Sequence, residues 1–454
     1  MGHYQNKPRS PLLCLPLLSC LSLGLVLSAG ACSEKNAPLS GPAPSSSLSS
    51  SSRSTSDANA IKQKPFALGL NDVAIQLPYE THPEMISKAP TVDGFVPPAA
   101  LDTIRDMLLE DQDRHQTEGF AFGTVGDLGL EADIVRVGST PYRLVSVRID
   151  PCGNAIARLS SGEACTHEIR IVWQPMELLD GKAFTRDINL HSIHRLDSGA
   201  FKGFIGALRA LKAGDASPAE ALAPHPVMES EGAEGPYFTG LMALLKNNIG
   251  IKNLHRVAFF ADSNPNAFGH WVMLAFDVID GQIVLSPSPM LGKQKGETQK
   301  RVQRIEGAPN RLGEPLPRGD FAHNLFPVLA EVPAANESEM LNLVRRFLMT
   351  KYESALALEN PNVHEPANAD CASCHMATLE KSKLKVELLA MGATLGGDAF
   401  QAPGWNLSSR DEVEFGSTSL QIFSFFKHRA KIGTRVVHDA VLSAERINAM
   451  TDLD

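Results

Sequence analysis

Asp370-Cys371-Ala372-Ser373-Cys374-His375 contains a single Cys-x-x-Cys-His, and its reading decides what the last quarter of the chain is expected to fold into. Two thiols two residues apart on a helical turn can each bond one vinyl group of a porphyrin, and the histidine that follows then turns its imidazole to the iron. Cys371, Cys374 and His375 are therefore read as the attachment site of one haem c per chain. The same three residues also suit half of a zinc site, or the cysteines a disulfide, because two cysteines and a histidine fit a tetrahedral metal. A zinc site wants a further Cys or His nearby. Compartment separates the readings, since covalent haem attachment belongs outside the cytoplasmic membrane.

Around the motif the apolar pattern is helical. Asn336 with Glu339 makes a capping-box-like start, and Met340, Leu343, Val344, Phe347 and Leu348 fall on one face. This predicts a helix that runs towards Leu358 and stops by Pro361. Leu384, Leu388 and Met391 recur at helical spacing, residues 392–404 read as a loop, and Val436, Val437, Ala440, Val441, Ala444 and Ile447 form a terminal stripe. Helix, motif, helix, loop and terminal helix resemble a monohaem c-type cytochrome over roughly the last hundred residues, and only the pentapeptide is specific. In that family the sixth iron ligand is a methionine in the loop before the last helix. Here residues 392–434 hold no methionine. The candidates are His438 and His428 on the terminal segment, ranked ahead of Met391, which would need the glycines of residues 392–397 to carry it across; His364 precedes the motif. Each is equally readable as an ordinary surface or core side chain.

The N-terminus bears on compartment. Lys7 and Arg9 precede an uncharged, mostly apolar run of about sixteen residues, the length of a signal-peptide core and short of the roughly 20 residues of a spanning helix. Leu27-Ser28-Ala29-Gly30-Ala31-Cys32-Ser33 resembles a bacterial lipoprotein signal, in which Cys32 becomes the lipidated first residue. Ala29 stands where such signals usually carry Leu, so ordinary cleavage near Ala31 stays open. Ser33 in place of an aspartate matches the arrangement that directs lipoproteins to the outer membrane. Each of the seven cysteines then has a place. Cys14 and Cys20 leave with the leader, Cys32 carries lipid, Cys371 and Cys374 carry haem, and Cys152 with Cys165 is expected to form a disulfide, the alternative being two buried thiols.

Residues 1–31 are thus read as a lipoprotein signal peptide and 32–61 as a flexible Ser/Pro-rich tether whose roughly 28 residues reach on the order of 30 Å. Cleavage removes two of the 42 basic residues and none of the 51 acidic ones. An acidic mature chain argues against nucleic acid and against a basic membrane-surface patch. Lipid on Cys32, not charge, is the expected membrane contact.

Residues 62–335 read as an α+β domain. Residues 97–113 have helical spacing; 142–149 and 167–173 alternate as strands, an antiparallel pair whose connection the Cys152–Cys165 bridge would close. Residues 187–196 suggest a further strand, 201–211 and 235–247 helices, and 255–261 and 270–279 strands, the last ending at the hairpin signal Asp280-Gly281. His191 and His194 are three apart on a strand, point to opposite faces and do not form the i, i+4 pair of a helical metalloprotease site. No Walker loop, nucleophile elbow, dinucleotide fingerprint or second Cys-x-x-Cys-His occurs. The segments Asp150-Pro151-Cys152 and Ile169-Arg170-Ile171-Val172-Trp173-Gln174-Pro175 resemble those of bacterial outer-membrane lipoproteins with a C-terminal haem motif, a resemblance that implies no particular activity.

The expected fold class is an α+β N-terminal domain, residues 62–335, followed by a small, mainly α-helical cytochrome c-like domain, residues 336–454. The expected function is a monohaem electron carrier rather than a catalyst, anchored in the outer membrane with its folded part facing the periplasm, exchanging electrons with redox proteins of the envelope. Two alternatives stand beside it: a haem-based ligand-binding or sensing lipoprotein, and a non-redox envelope-binding lipoprotein with a structural Cys-x-x-Cys-His.

Overall fold

A computed structural model of the protein describes residues 68–103, 106, 141–151, 166–186, 188–212, 214, 216–262, 270–285, 302–304, 337–363, 371–397, 399–410 and 421–450. All belong to one unit, Lys62–Asp454. In chain order the elements are α1 (Leu70–Val73), β1 (Ala74–Gln76), α2 (Met85–Lys88), β2 (Tyr142–Asp150), β3 (His167–Leu179), β4 (Lys182–Thr185), β5 (Ile188–Leu196), α3 (Ser198–Leu211), α4 (Pro226–Glu231), α5 (Pro236–Asn248) and β6 (Leu254–Asp262). There follow β7 (His270–Ile279), β8 (Gln282–Leu285), β9 (Val302–Arg304), α6 (Glu337–Glu359), α7 (Cys371–Ala390), β10 (Phe423–Phe426), β11 (Arg429–Ile432) and α8 (Thr434–Ala449).

The dominant element is a nine-stranded sheet in the order β1-β2-β3-β5-β6-β7-β8, with β4 on β3 and β9 on β7. Every ladder is antiparallel. Two of its hairpins turn on the same dipeptide. Asp180-Gly181, between β3 and β4, has φ of 52° and 74°, and Asp280-Gly281, between β7 and β8, has 52° and 76°. Two successive positive φ values give the turn whose twist matches that of paired strands, which is why Asp-Gly is favoured there.

The two faces of the sheet differ in chemistry. Alternation puts Val147, Ile149, Ile169, Ile171, Trp173, Leu190, Val257 and Phe259 on one face, all buried. The helices α3 and α5 cover this side: the His167 ring stacks on Phe201 at 4.3 Å, and Phe201, Phe204, Leu208, Tyr237, Leu241 and Leu245 belong to the same core. Asp197 caps α3 by accepting from the Ala200 N–H at 2.8 Å, and Pro236 opens α5 where its missing N–H costs nothing.

The opposite face carries Gln76, Ser146, Arg148, Arg170, Gln174, Asn189 and His191. Buried polar groups must be paired, and the C-terminal segment supplies partners for five of these seven. Gln76 Nε2 donates to Ser424 O at 2.9 Å, Ser146 Oγ to Phe423 O at 2.7 Å, and Arg148 meets Asp439 of α8 at 2.7 Å. Asn189 Nδ2 donates to Gln421 Oε1 and to Ser424 Oγ. Phe423, Phe425, Ile432, Val436, Val437, Val441 and Ile447 join the core of the sheet.

This corrects the expected fold class. The chain forms a large antiparallel sheet with helices and a C-terminal hairpin laid on it, and not an α+β domain followed by a small helical cytochrome-like domain. The physical reason is the polar face just described: Gln76, Ser146, Arg148, Gln174 and Asn189 all donate to groups of residues 421–439, so hairpin β10–β11 and α8 are part of the sheet's own packing. The helices expected around the motif do form. α6 and α7 pair over Leu348, Tyr352, Leu356, Leu384 and Leu388, a smaller cluster of their own.

Candidate functional site

The helix α7 begins at Cys371, so the motif forms its first turn and a half. Positions 371, 374 and 375 fall on one side of a helix, as i, i+3 and i+4 do. The side chains of Cys371 and Cys374 lie outside those described, as do residues 32, 152, 165 and 364, so the expected lipid site, disulfide pair and His364 fall beyond the structural description. His375 is described, and it is half-buried.

The His375 ring is brought onto the polar face of the sheet. Its centroid lies 6.2 Å from that of His191 on β5, with the ring planes at 81°, and 5.2 Å from that of Phe260 on β6, at 30°. In register, His191 sits between Val172 of β3 and Ala258 of β6. The Nε2 of His191 is sealed from solvent with no hydrogen-bond partner among the described residues. Burial first, then the electrostatic influence of His375, Arg148 and Arg170, holds the pKa of this imidazole down to about 3, and the ring is hence neutral at ordinary pH. A neutral imidazole is the form that binds metals.

His194, three residues along the same strand, behaves differently. Its Nδ1 meets Gly250 O at 3.0 Å and its Nε2 the Ser192 hydroxyl at 2.9 Å, so both ring nitrogens are used, and burial holds its pKa down to about 4. The expected opposite facing of the two histidines is observed. His194 has a structural role on the apolar side, whereas His191 presents a buried, unused nitrogen on the polar side.

The arginines around His191 are themselves neutralised. Arg148 and Arg435 both reach Asp439, at 2.7 and 3.0 Å, and hold its carboxyl below the usual carboxylate range although burial alone would raise it. Arg170 pairs with Glu168 at 2.8 Å and with Asp150 at 3.2 Å. Two buried carboxylate–guanidinium clusters thus frame the histidine pair.

The other three candidate ligands are placed as follows. His428 is exposed at the turn between β10 and β11. His438, on α8, is buried; its Nδ1 meets Glu359 O at 2.7 Å and its ring packs on Phe400 at 4.6 Å. Burial lowers its pKa, with Glu359 opposing. Met391 packs in the α6–α7 cluster just past the far end of α7, about sixteen helical steps or about 24 Å of rise from His375. The structure brings His375 to His191 and not to Met391 or His428. Nothing local in the sequence marks His191; the only signal is that alternation puts it on the face of Arg170, Gln174 and Asn189.

Among the described residues no three His, Cys, Asp or Glu side chains gather as a metal-binding group, and no helix is long and apolar enough to cross a membrane. Comparison with known protein families, with curated proteins and with solved structures gave no match to this chain.

Proposed function

We propose that the protein is a monohaem c-type electron carrier of the bacterial envelope, anchored by lipid on Cys32. The observation that carries the reading is the Cys-x-x-Cys-His at the start of α7, whose histidine is turned inward against a sheet and not outward to solvent. The residues suit the group: a buried imidazole nitrogen without a partner among the described residues stands across from the motif histidine, and Phe260 supplies an apolar wall beside it. Cys371 and Cys374 would hold the porphyrin covalently and His375 would bind the iron. Haem c, when bound, supplies reversible one-electron chemistry.

The chain's own contribution is to hold His375 on a rigid helix, to exclude water with the sheet, and to surround the pair with paired charges. Arg148, Arg170, Asp439 and Glu168 are fixed by their ion pairs, so little reorganisation of charge accompanies a change of one electron nearby. The expected partners are redox proteins of the envelope, met through the tether of residues 32–61. The experiment is a haem-stained denaturing gel of the full chain: one stained band is expected, and Cys371→Ala with Cys374→Ala should remove it. A colourless protein that contains zinc would refute the reading.

A further inference from the structure

We propose that His191 of β5 is the second protein ligand of the metal held by His375, bound on the side opposite to it. This rests on reading Cys371-Ala372-Ser373-Cys374-His375 as a haem attachment site, and it names a ligand that lies about 180 residues before the motif, on a different element.

The spacing of the two rings fits that role. With metal–nitrogen bonds of about 2 Å and about 1.2 Å from nitrogen to ring centre, two imidazoles on opposite sides of one metal have centroids about 6.4 Å apart, whereas two corners of a tetrahedron bring them to about 5.2 Å. The observed separation is 6.2 Å. The separation lies nearer to the spacing across a planar haem than to that of two corners of a tetrahedral site.

His191 also has a nitrogen to offer. Its Nε2 is buried without a partner among the described residues, and a buried polar atom left so is destabilising unless a ligand satisfies it. The neighbouring His194, by contrast, has both ring nitrogens engaged by Ser192 and Gly250. The ring is rigidly held as well. His191 is in the middle of β5, which is hydrogen-bonded to β3 on one side and β6 on the other, so the imidazole is carried by a central strand of the sheet. His428, on an exposed turn, has no such support, and His438 packs on the Phe400 ring with its Nδ1 at Glu359 O.

Two strong protein ligands make the iron low-spin and close it to small exogenous ligands, and a second imidazole in place of a thioether sets a lower potential than His/Met ligation, which raises it. His191 therefore favours a carrier over a sensor.

The test uses the full-length protein purified with its haem, read by optical spectra in both oxidation states. The wild type is expected to be low-spin, without the weak red band of methionine–iron ligation and without binding carbon monoxide when reduced. His191→Ala should keep its covalent haem on a stained gel, become high-spin, bind carbon monoxide, and return to low-spin when imidazole is added. His428→Ala, His438→Ala and Met391→Ala should each leave the wild-type spectrum unchanged. If the alanine variant does not accumulate, His191→Met serves: its oxidised form should gain the methionine band and its potential should rise. Haem-loaded His191→Ala or His191→Met protein with the wild-type spectrum overturns the assignment while leaving the haem reading intact. A colourless wild-type protein removes both.

Discussion

Gln174 of β3 and Phe425 of β10, 251 residues apart, exchange two hydrogen bonds: the Gln174 amide donates to Phe425 O at 2.9 Å, and its oxygen accepts from Phe425 N at 2.7 Å. A side-chain amide here does what a neighbouring strand would do, pairing both backbone groups of one residue. Gln174 is fully buried. Gln174→Leu would leave the Phe425 N–H and C=O without these partners, at about 1–3 kcal/mol each. A loss of about 2–6 kcal/mol is expected in denaturant unfolding. A midpoint within error of the wild type would show that the hairpin is not held to the sheet in this way.

The two Asp-Gly hairpins predict a smaller and more local effect. Gly181 and Gly281 have φ of 74° and 76°, in open space where an added Cβ meets no atom within 4 Å. The penalty for Gly→Ala is then conformational alone, about 1 kcal/mol at each. Because the turns are at separate hairpins, the double variant should lose the sum. Equal stability of Gly181→Ala and the wild type would argue against a left-handed residue there.

Stability should fall as pH drops below neutrality, well before carboxylates titrate. Burial holds the pKa of His194 down to about 4 and that of His225 down to about 3. The unfolded chain, with histidines near 6.5, binds these protons first, so folding weakens by about 1.4 kcal/mol per pH unit for each histidine between about pH 6.5 and 4. Asp439 and Glu168 behave in the other order. Their folded pKa values are depressed by Arg435 with Arg148, and by Arg170 with Arg195, so their contribution is complete above the ordinary carboxylate range and is lost only as pH falls below it. Denaturant midpoints at roughly pH 7, 5.5 and 4.5 should decline steadily. The double variant His194→Asn, His225→Asn should flatten the curve; at the second site the amide oxygen retains a side-chain acceptor for the Met228 N–H that His225 Nδ1 now meets.

Membrane attachment is expected to depend on Cys32, which lies outside the described residues. No helix among the described residues is long and apolar enough to span a bilayer, and acyl chains are the strong affinity that the sequence offers. Cys32→Ala should move the protein from the membrane fraction to the soluble periplasmic one. Continued sedimentation with membranes would place the anchor elsewhere.

Much of the local structure is legible in the sequence. Alternation finds β2, β3, β5, β6 and β7, and the helical stripes find α3, α5, α6 and α8, because burial on one side imprints a period of 2 or 3.6 on the chain. Asp280-Gly281 reads as a turn. Asp180-Gly181 carries the same signal, but Leu178 and Leu179 before it break the alternation of β3, and both are exposed. The short strands β10 and β11 escape sequence reading for a different reason. Phe423-Ser424-Phe425-Phe426 carries little alternation, and its partners Gln76, Ser146 and Gln174 lie far back along the chain. Without that hairpin, residues 336–454 look like a separate helical domain. The motif histidine is found from its pattern, while His191 has no local signature on its strand, and only the folded sheet brings it within 6.2 Å of His375.

The dependence of the polar face on residues 421–439 also fixes an order of events in time. A chain that emerges from its N-terminus has made β1 to β7 long before Phe425 and Asp439 exist, so Gln174, Ser146 and Arg148 wait in water for partners made last. Contacts separated by hundreds of residues form slowly, because the loop that joins them must first be closed. During that interval the polar face lacks the hairpin and α8 that close over it. Docking of the hairpin and α8 then acts as a latch: the segment made last completes the pairing of side chains on the strands made first.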